Sequence, residues 1–433
     1  MATTPERALD DWLAYIERQH PREIALGLER VREVAARMGL VQPAARSILV
    51  GGTNGKGSTV AFLESIARAA GLRVGAYTSP HLLRYNERVR IDGEAIDDLP
   101  LAAAFEAVEA ARGDTPLTYF EYGTLAALWV FERERLDLAI LEVGLGGRLD
   151  AVNLVDADVA VITTVDLDHQ DWLGNDREAI GFEKAGIARA WKPLVLGEDD
   201  PPSSVLGHAY RIGASAVRAN CDFFFAPNED GATWHWRELD FGIDLPLPAL
   251  AAPVQLRNAA TAIAAVRALD LPITREAIGQ GIAEARVAGR LQVFARGGVD
   301  VVVDVAHNPQ AAGSLAAWMA TSPVPGRTFA VYAALADKDV AGVVAAVAER
   351  IDAWFLAGLE AAGPRGEPVE AFAQRLRETA AAGGALHPTV AAALAAALAQ
   401  ARAGDRILAF GSLHTVAAAL TALGSEDGRA QGL

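Results

Sequence analysis

A short apolar run, Ile48-Leu49-Val50, gives way at once to Gly51-Gly52-Thr53-Asn54-Gly55-Lys56-Gly57-Ser58-Thr59 and then to a helix-like stretch from Val60 to Ala70 that Gly71 stops. A strand, a glycine-rich turn and a helix in this order constrain the fold more than any other part of the chain. Bare backbone N–H groups and a helix N-terminus would converge on an anion, with Lys56 as a mobile counter-charge. The run departs from the ordinary P-loop, which has a glycine where Val50 stands and Ser or Thr directly after its lysine, where Gly57 intervenes. The physical requirements survive the departure: glycines where backbone must approach phosphate, one lysine, and hydroxyls on Ser58 and Thr59 suited to a magnesium ion. A glycine turn without a ligand needs neither Lys56 nor two hydroxyls at the mouth of a helix. Thr53, Asn54, Gly55, Lys56, Gly57, Ser58 and Thr59 are therefore read as a nucleotide site.

A chain of 433 residues with 52% hydrophobic content can bury large cores, and this length favours two domains. From Ile48 to Leu196, β-like runs (Ile48 to Val50, Val74 to Tyr77, Asp137 to Val143, Val159 to Thr164, Pro193 to Leu196) alternate with helical periodicity, the rhythm of a parallel sheet covered by helices. Asp222 to Leu247, rich in aromatics and short turns, reads as a small antiparallel patch. A second βα series follows, with strands at Val299 to Val303, Thr328 to Tyr332, Ala353 to Leu356 and Arg406 to Phe410 and no GxGxxG fingerprint. The fold class is thus α/β: a P-loop NTPase-like parallel-sheet domain (1–287), a hinge (288–298), a smaller Rossmann-like domain (299–425) and a tail (426–433). Two such domains imply an active site in the cleft between them.

The formal net charge of -16 opposes broad nucleic-acid binding and attachment to anionic lipid. The single Cys221 excludes an intrachain disulfide, and the N-terminus has neither a basic flank nor an apolar core suited to export, so the cytoplasm is the expected compartment. The Ala-rich segment Thr389 to Ala403 carries Gln400 and Arg402 and reads as a packed helix, not a membrane span.

Magnesium needs oxygen ligands at strand ends facing the phosphate loop. Leu138 to Leu141 ends in Glu142 followed by Gly144, Gly146 and Gly147; a metal ligand and a solvated strand-end carboxylate both fit. Val159 to Thr164 leads into Asp166, Asp168 and His169, where residue chemistry alone favours Asp168 as ligand and His169 as a hydrogen-bonding group. Asp304-Val305-Ala306-His307-Asn308-Pro309 offers a second strand-end carboxylate and a histidine, and equally an Asn-Pro helix start.

These motifs together resemble the ATP-dependent Mur-type ligases, and within them the bacterial dihydrofolate synthase/folylpolyglutamate synthase family, from about Trp12 to about Val416. The resemblance implies a set of roles. Ser58 and Glu142 would hold one magnesium ion and His169 a second; Lys184, in Glu183-Lys184-Ala185-Gly186-Ile187, would carry a carbamate and so become an anionic oxygen ligand, although lysine's usual place is an exposed surface. Asn258 and Arg290 would hold adenine and phosphate, with Arg290 brought to the γ-phosphate by domain closure. Asp304 would contact the ribose, and His307 would lie near the terminal phosphate. Asp337-Lys338-Asp339 and the loop bearing Ser412 and His414 would help bind glutamate.

For the acceptor, the family's substrate loops are matched by the segments bearing Leu28, Ser79, His81, Thr118 and Phe120, and by Asp150-Ala151-Val152-Asn153 in the form of members that accept dihydropteroate. Phe120 would stack on the flat aromatic ligand, and core packing fits it equally well. Ala25 stands where relatives place an aspartate and Val152 where they place a threonine, a departure at the pterin end.

The implied reaction transfers the γ-phosphoryl group of ATP to a carboxylate, and the amine of L-glutamate then displaces phosphate. Lys56, His169, Lys184, Arg290 and His307 would be the catalytic set, with two magnesium ions and room for a monovalent cation. The implied partners are dihydropteroate, reduced folates and L-glutamate, with no nucleic acid and no membrane, and the chain is expected to act as a monomer. A folate-only synthase is the neighbouring alternative. A peptidoglycan-precursor ligase would carry a sugar-nucleotide domain before the phosphate loop, for which the residues before Gly51 are too few. A non-catalytic nucleotide switch does not require His169, Lys184 and the Asp304/His307 pair.

Overall fold

The computed structural model describes residues 7–20, 24–269 and 271–427, the side chains of 425–427 excepted. The chain divides into two compact units, Met1–Ala249 with Gln255–Arg286, and Leu250–Val254 with Val287–Leu433.

The first unit is built on an eight-stranded sheet: β1 (Arg46–Gly51), β2 (Val74–Tyr77), β3 (Val89–Ile91), β4 (Glu94–Ala95), β5 (Leu138–Glu142), β6 (Val159–Ile162), β7 (Pro193–Leu196) and β8 (Ser215–Arg218), in the order β4-β3-β2-β5-β1-β6-β7-β8. All pairs from β2 through β8 are parallel, while β3 and β4 add antiparallel at one edge. The central strands β1, β5 and β6 are buried along nearly their whole length, which explains their unbroken apolar runs: a strand covered on both faces has no polar face to show. The helix Lys56–Ala69 packs closely on the helix Arg275–Glu284; a Cβ at Gly281 would sit 2.4 Å from Ile66 Cα, so only glycine permits this approach.

Three further strands, β9 (Phe224–Pro227), β10 (Thr233–Glu238) and β11 (Phe241–Pro246), form the expected antiparallel patch. Strand alternation sends Trp234 and Trp236 inward, both fully buried, and Trp236 Nε1 donates to Ala260 O at 3.1 Å, which satisfies the one polar atom the indole brings inside.

The second unit carries β12 (Gln292–Arg296), β13 (Val299–Asp304), β14 (Thr328–Tyr332), β15 (Ala353–Ala357), β16 (Ala385–His387) and β17 (Arg406–Phe410), in the order β12-β13-β17-β14-β15-β16, parallel except for the β12–β13 pair. Its core is aromatic: Tyr332 stacks on Phe410 at 4.9 Å and meets Phe372 and Trp354 edge-on or tilted.

Three expectations need correction. The helix after the phosphate loop starts at Lys56, not Val60, because Gly55 takes a left-handed conformation (φ 86°) that ends the turn and starts the helix at the lysine. Residues 292–296, read as part of an irregular hinge, are the edge strand β12; alternating half-buried and exposed side chains on an edge give no apolar run to read. The helix Leu413–Asp427 extends into the expected tail, whose residues 428–433 lie outside the described residues.

Candidate active site

The phosphate loop leaves the carboxyl end of β1 and is pinned on both sides by the segment after β6. Thr53 N–H donates to Thr164 O (2.8 Å), Asn54 N–H to Thr164 Oγ1 (3.1 Å), and Thr163 Oγ1 to Asn54 O (2.6 Å). Thr53 Oγ1 in turn donates to Asp166 O at 3.1 Å and accepts from Asp166 N–H at 3.0 Å. At Gly52 (φ 144°) a Cβ would lie 1.9 Å from Thr163 Oγ1, and at Gly55 one would lie 2.6 Å from Asn258 Oδ1. Both glycines are thus required by close approach as well as by backbone conformation. The buried Asn258, on the helix Val254–Arg267, stands directly behind the loop, its Nδ2 donating to Gln255 Oε1. Lys56 Nζ donates to Gly52 O and Thr53 O (3.0 and 3.3 Å), curling over the loop it would share with a phosphate. Gly57 has open space at its Cβ position. Ser58 and Thr59 are buried in the first helical turn, and Thr59 Oγ1 makes no hydrogen bond in the structure.

Glu142 is the last residue of β5, paired in register with Val50, and is buried, which removes the reading of a solvated carboxylate. Ser79 N–H donates to Glu142 Oε2 at 3.2 Å, so the Ser79 segment contributes backbone here. Lys184 is also buried, near the end of the helix Arg177–Ala185, against the ordinary habit of lysine. Burial first, and the charge of Lys56 second, bring its amine down to about 7, against the opposing pull of Asp168, Asp150 and Glu198. Asp150 shows the opposite case. Burial pushes its carboxyl up to about 7 although backbone N–H groups of Leu145 and Val152 donate to it. His169 holds a left-handed conformation (φ 52°) at the start of the short helix Gln170–Leu173, its N–H bonded to Asp168 Oδ1 at 2.9 Å.

Several segments expected to bind the acceptor touch one another near this end of the sheet. Gly27 N–H donates to Leu149 O (3.3 Å), tying the turn before Leu28 to the turn before Asp150. Arg30 Nη2 bridges Ala25 O (2.7 Å) and Glu121 Oε1 (2.9 Å). Thr118 is the N-cap of the helix Tyr119–Glu134, in a reciprocal capping box with Glu121; its hydroxyl is thereby engaged in the fold. Phe120 is half-buried, stacked on Tyr77 with centroids 6.1 Å apart, and a Cβ at Gly144 would collide with its ring. Ala151 and Val152 are buried in the turn beyond Asp150, and His81 Nδ1 accepts from Arg88 Nε at 2.9 Å.

In the second unit the candidate residues carry structural bonds. Asp304 accepts from Leu291 N–H and Ala306 N–H, both at 2.9 Å, which holds Leu291 at φ 46° immediately after Arg290. Desolvation raises its carboxyl above the ordinary range, while Arg290 and the two N–H groups oppose the shift. Next to it, half-buried His307 precedes Asn308, the N-cap of the helix Pro309–Thr321. Asp339 caps the helix Val340–Val347 through Gly342 N–H, beside the ion pair Lys338–Asp337 at 3.7 Å. Ser412 Oγ is buried and bonded to Thr415, whereas His414 is exposed.

Residues 50–266 match the Mur ligase middle domain and residues 289–413 the glutamate ligase domain of Mur ligases. The dihydrofolate synthase/folylpolyglutamate synthase of Escherichia coli strain K12 is 48% identical over 417 residues, 96% of each chain. The chain belongs to the dihydrofolate synthase/folylpolyglutamate synthase family of Mur ligases. Among solved structures, E. coli FolC in complex with DHPP and ADP is similar at a TM-score of 0.92 and 46% identity, over 98% of this chain and 100% of that one. A bifunctional folylpolyglutamate synthase/dihydrofolate synthase with Mn, AMPPNP and L-glutamate bound is similar at 0.89 and 45% identity, over the same shares.

The donors of this family member fit a divalent cation: a buried carboxylate on Glu142 and a buried hydroxyl on Ser58. Residue chemistry alone missed four groups that shape the site. Thr163 and Thr164, read only as the end of a strand, fasten the phosphate loop; paired hydroxyls at the carboxyl end of a buried apolar strand are the signal that points to them. Glu198 and Arg177 form an ion pair at 2.9 Å that grips Val165, and nothing in their local sequence announces it.

Proposed function

We propose that the chain is an ATP-dependent ligase that joins L-glutamate to dihydropteroate, forming dihydrofolate, and to the γ-carboxylate of reduced folates. The observation that carries this reading is the phosphate cradle at the end of β1, with Lys56 over it and the buried Glu142 and Lys184 beside the same strand ends, in a chain 48% identical to a dihydrofolate synthase/folylpolyglutamate synthase over 96% of its length.

A carboxylate resists amines because its oxygen leaves poorly. Transfer of the γ-phosphoryl group from ATP to that oxygen breaks the bond to ADP and forms an acyl phosphate; the glutamate amine adds to the carbonyl carbon, loses its proton, and phosphate departs with the former carboxylate oxygen. In this scheme the loop N–H groups and Lys56 hold the transferring phosphoryl group and neutralise its charge, and Asn258 backs the loop on the adenine side. Ser58, Glu142 and His169 would hold the divalent ions, and Lys184 would do so as a carbamate; bound metal supplies charge neutralisation on the phosphates. The low pKa of buried Lys184 supports the carbamate, since only the neutral amine attacks carbon dioxide.

Arg290 and His307 act on the terminal phosphate, Asp304 on the ribose, and Ser412 and His414 on glutamate. Leu28, Ser79, His81, Thr118, Phe120, Asp150 and Ala151 form the acceptor side, with Thr118 acting through the helix it caps. The reading includes a monomeric enzyme of the cytoplasm; among the described residues no helix is long and apolar enough to cross a membrane.

The test is ADP release with magnesium-ATP and L-glutamate, with 7,8-dihydropteroate in one series and a reduced folate in the other, and product masses read in parallel. Turnover with both acceptors is expected. Turnover with the folate alone would restrict the chain to polyglutamylation, and turnover with neither would overturn the reading.

A further inference from the structure

Glu198 follows β7, and Arg177 opens the helix that carries Lys184. Arg177 Nε donates to Val165 O (2.8 Å), and Arg177 Nη2 donates to Glu198 Oε2 (2.9 Å) and Asp200 O (3.0 Å), while Val165 N–H donates to Glu198 Oε1 (3.1 Å). The ring closes on itself: both backbone polar groups of buried Val165 are held by one ion pair beyond the ends of β6 and β7. Val165 begins the segment that runs through Asp166 and Asp168 to His169, and the other side of that segment is held by Thr53 of the phosphate loop. Arg177 and Lys184 are seven residues apart, two helical turns, so they share one face of their helix. The guanidinium thus ties the Val165 segment, through Val165 O, to the segment after β7, through Glu198 and Asp200 O, and the carboxylate side chain is only 15% exposed.

We propose that the Arg177–Glu198 pair is a positioning device that fixes His169 against Lys184 for divalent-ion binding. The inference rests on the metal roles given to His169 and Lys184 above. An ion pair whose guanidinium side chain is 42% exposed adds little net stability, since water screens the attraction, whereas its directional bonds specify geometry. Partners that orient metal ligands without touching the ion typically change metal affinity by about 10–100-fold when removed. Placing one partner on the Lys184 helix and the other beyond β7 lets a single ring set the spacing of the two ligand-bearing segments.

The experiment compares the full chain with Glu198→Gln, Arg177→Lys and Arg177→Gln. Mn2+ affinity is read by electron paramagnetic resonance with a non-hydrolysable ATP analogue, and amide exchange at Val165 to His169 is read in metal-free protein. Glu198→Gln keeps the shape of the side chain and is expected to weaken Mn2+ binding by about 10–100-fold and to speed exchange across Val165 to His169. The Mg2+ concentration for half-maximal ADP release should rise in proportion, with kcat regained at saturating Mg2+. Arg177→Lys, which keeps one donor to Val165 O, should lie between wild type and Arg177→Gln. If Arg177→Gln fails to fold, the two conservative variants decide. Wild-type Mn2+ affinity in Glu198→Gln, or a lowered melting temperature with unchanged affinity, overturns the proposal and leaves the ligase reading intact; absence of Mn2+ binding by the wild type overturns both.

Discussion

The two units use buried polar chemistry differently. At the carboxyl ends of β1, β5, β6 and β7, the first unit holds Ser58, Glu142, Asp150, Lys184 and Glu198 in or near its interior, and burial moves Asp150, Lys184 and Glu198 to about 7. The second unit spends its corresponding residues on its own backbone: Asp304 on Leu291 and Ala306, Asn308 and Asp339 as N-caps, Ser412 on Thr415. A protein does not keep several charged groups in low dielectric for stability, because each costs more than it returns unless paired. On the proposed roles, poised charge in the first unit serves chemistry, while the second unit, where desolvation also raises Asp304, presents a few side chains, Arg290, His307 and His414 among them. Glu142 at the end of β5 and Lys184 on the helix Arg177–Ala185 make the same point within one unit, since both are buried although their residue types usually face solvent.

Substitutions can break this contrast. The largest effect is expected from Lys56→Ala, which removes the one cation over the phosphate loop; ADP release should fall by at least ~10²–10³-fold in folded protein, and near-normal turnover would remove the loop from the mechanism. Next come two glycines of the same loop with opposite signs. Gly52→Ala forces a side chain to φ 144° and into Thr163, and should cost ~1–3 kcal/mol of stability in denaturant titration. Gly57→Ala meets nothing and should gain ~0.5–1 kcal/mol as a helical residue in the same titration; a fall in ADP release beside that gain would put the open space at Gly57 to use by the bound phosphates. In the second unit, Asn308→Ala should cost ~1 kcal/mol through its helix cap, with ADP release reduced far less than in Lys56→Ala. Comparable losses of turnover in both would erase the distinction between the units.

The smallest effect is a pH dependence of the metal-free protein in buffer depleted of carbon dioxide. Asp150 and Glu198 have ordinary values of 3.8 and 4.5 and reach about 7 when folded. The folded state thus binds more protons between about 4 and 7, and stability falls as pH rises through that window. Lys184 goes from 10.5 to about 7, so the folded state binds fewer protons from there to about 10.5, and stability recovers as pH rises. A shallow minimum of melting temperature near neutrality is expected. Asp150→Asn should flatten its acid limb and Lys184→Met its alkaline limb; profiles identical to wild type would contradict the burial of these charges.

Much of the architecture was legible because buried parallel strands must be apolar throughout: β1, β2, β5, β6, β7, β13, β14, β15 and β17 all coincide with runs visible in the sequence. The strands that escaped notice, β3, β4, β8, β12 and β16, are two to five residues long and lie at or next to sheet edges, where one side is wet and no apolar run develops. The phosphate loop was readable because its glycines and lysine are contiguous. Its clamps were not, since Thr163 and Thr164 reach it from about 110 positions away, and Arg177 meets Glu198 across 21. Burial of Lys184 was equally hidden: the helix that carries it looks amphipathic, and only its packing decides which cation faces inward.

The most direct test of an acyl phosphate route follows oxygen. Dihydropteroate labelled with heavy oxygen in its carboxylate would be turned over with ATP and L-glutamate, and the released inorganic phosphate examined by mass spectrometry. An acyl phosphate route carries one labelled oxygen into phosphate for each dihydrofolate formed and leaves the other in the new amide. Amide product accompanied by unlabelled phosphate would contradict it.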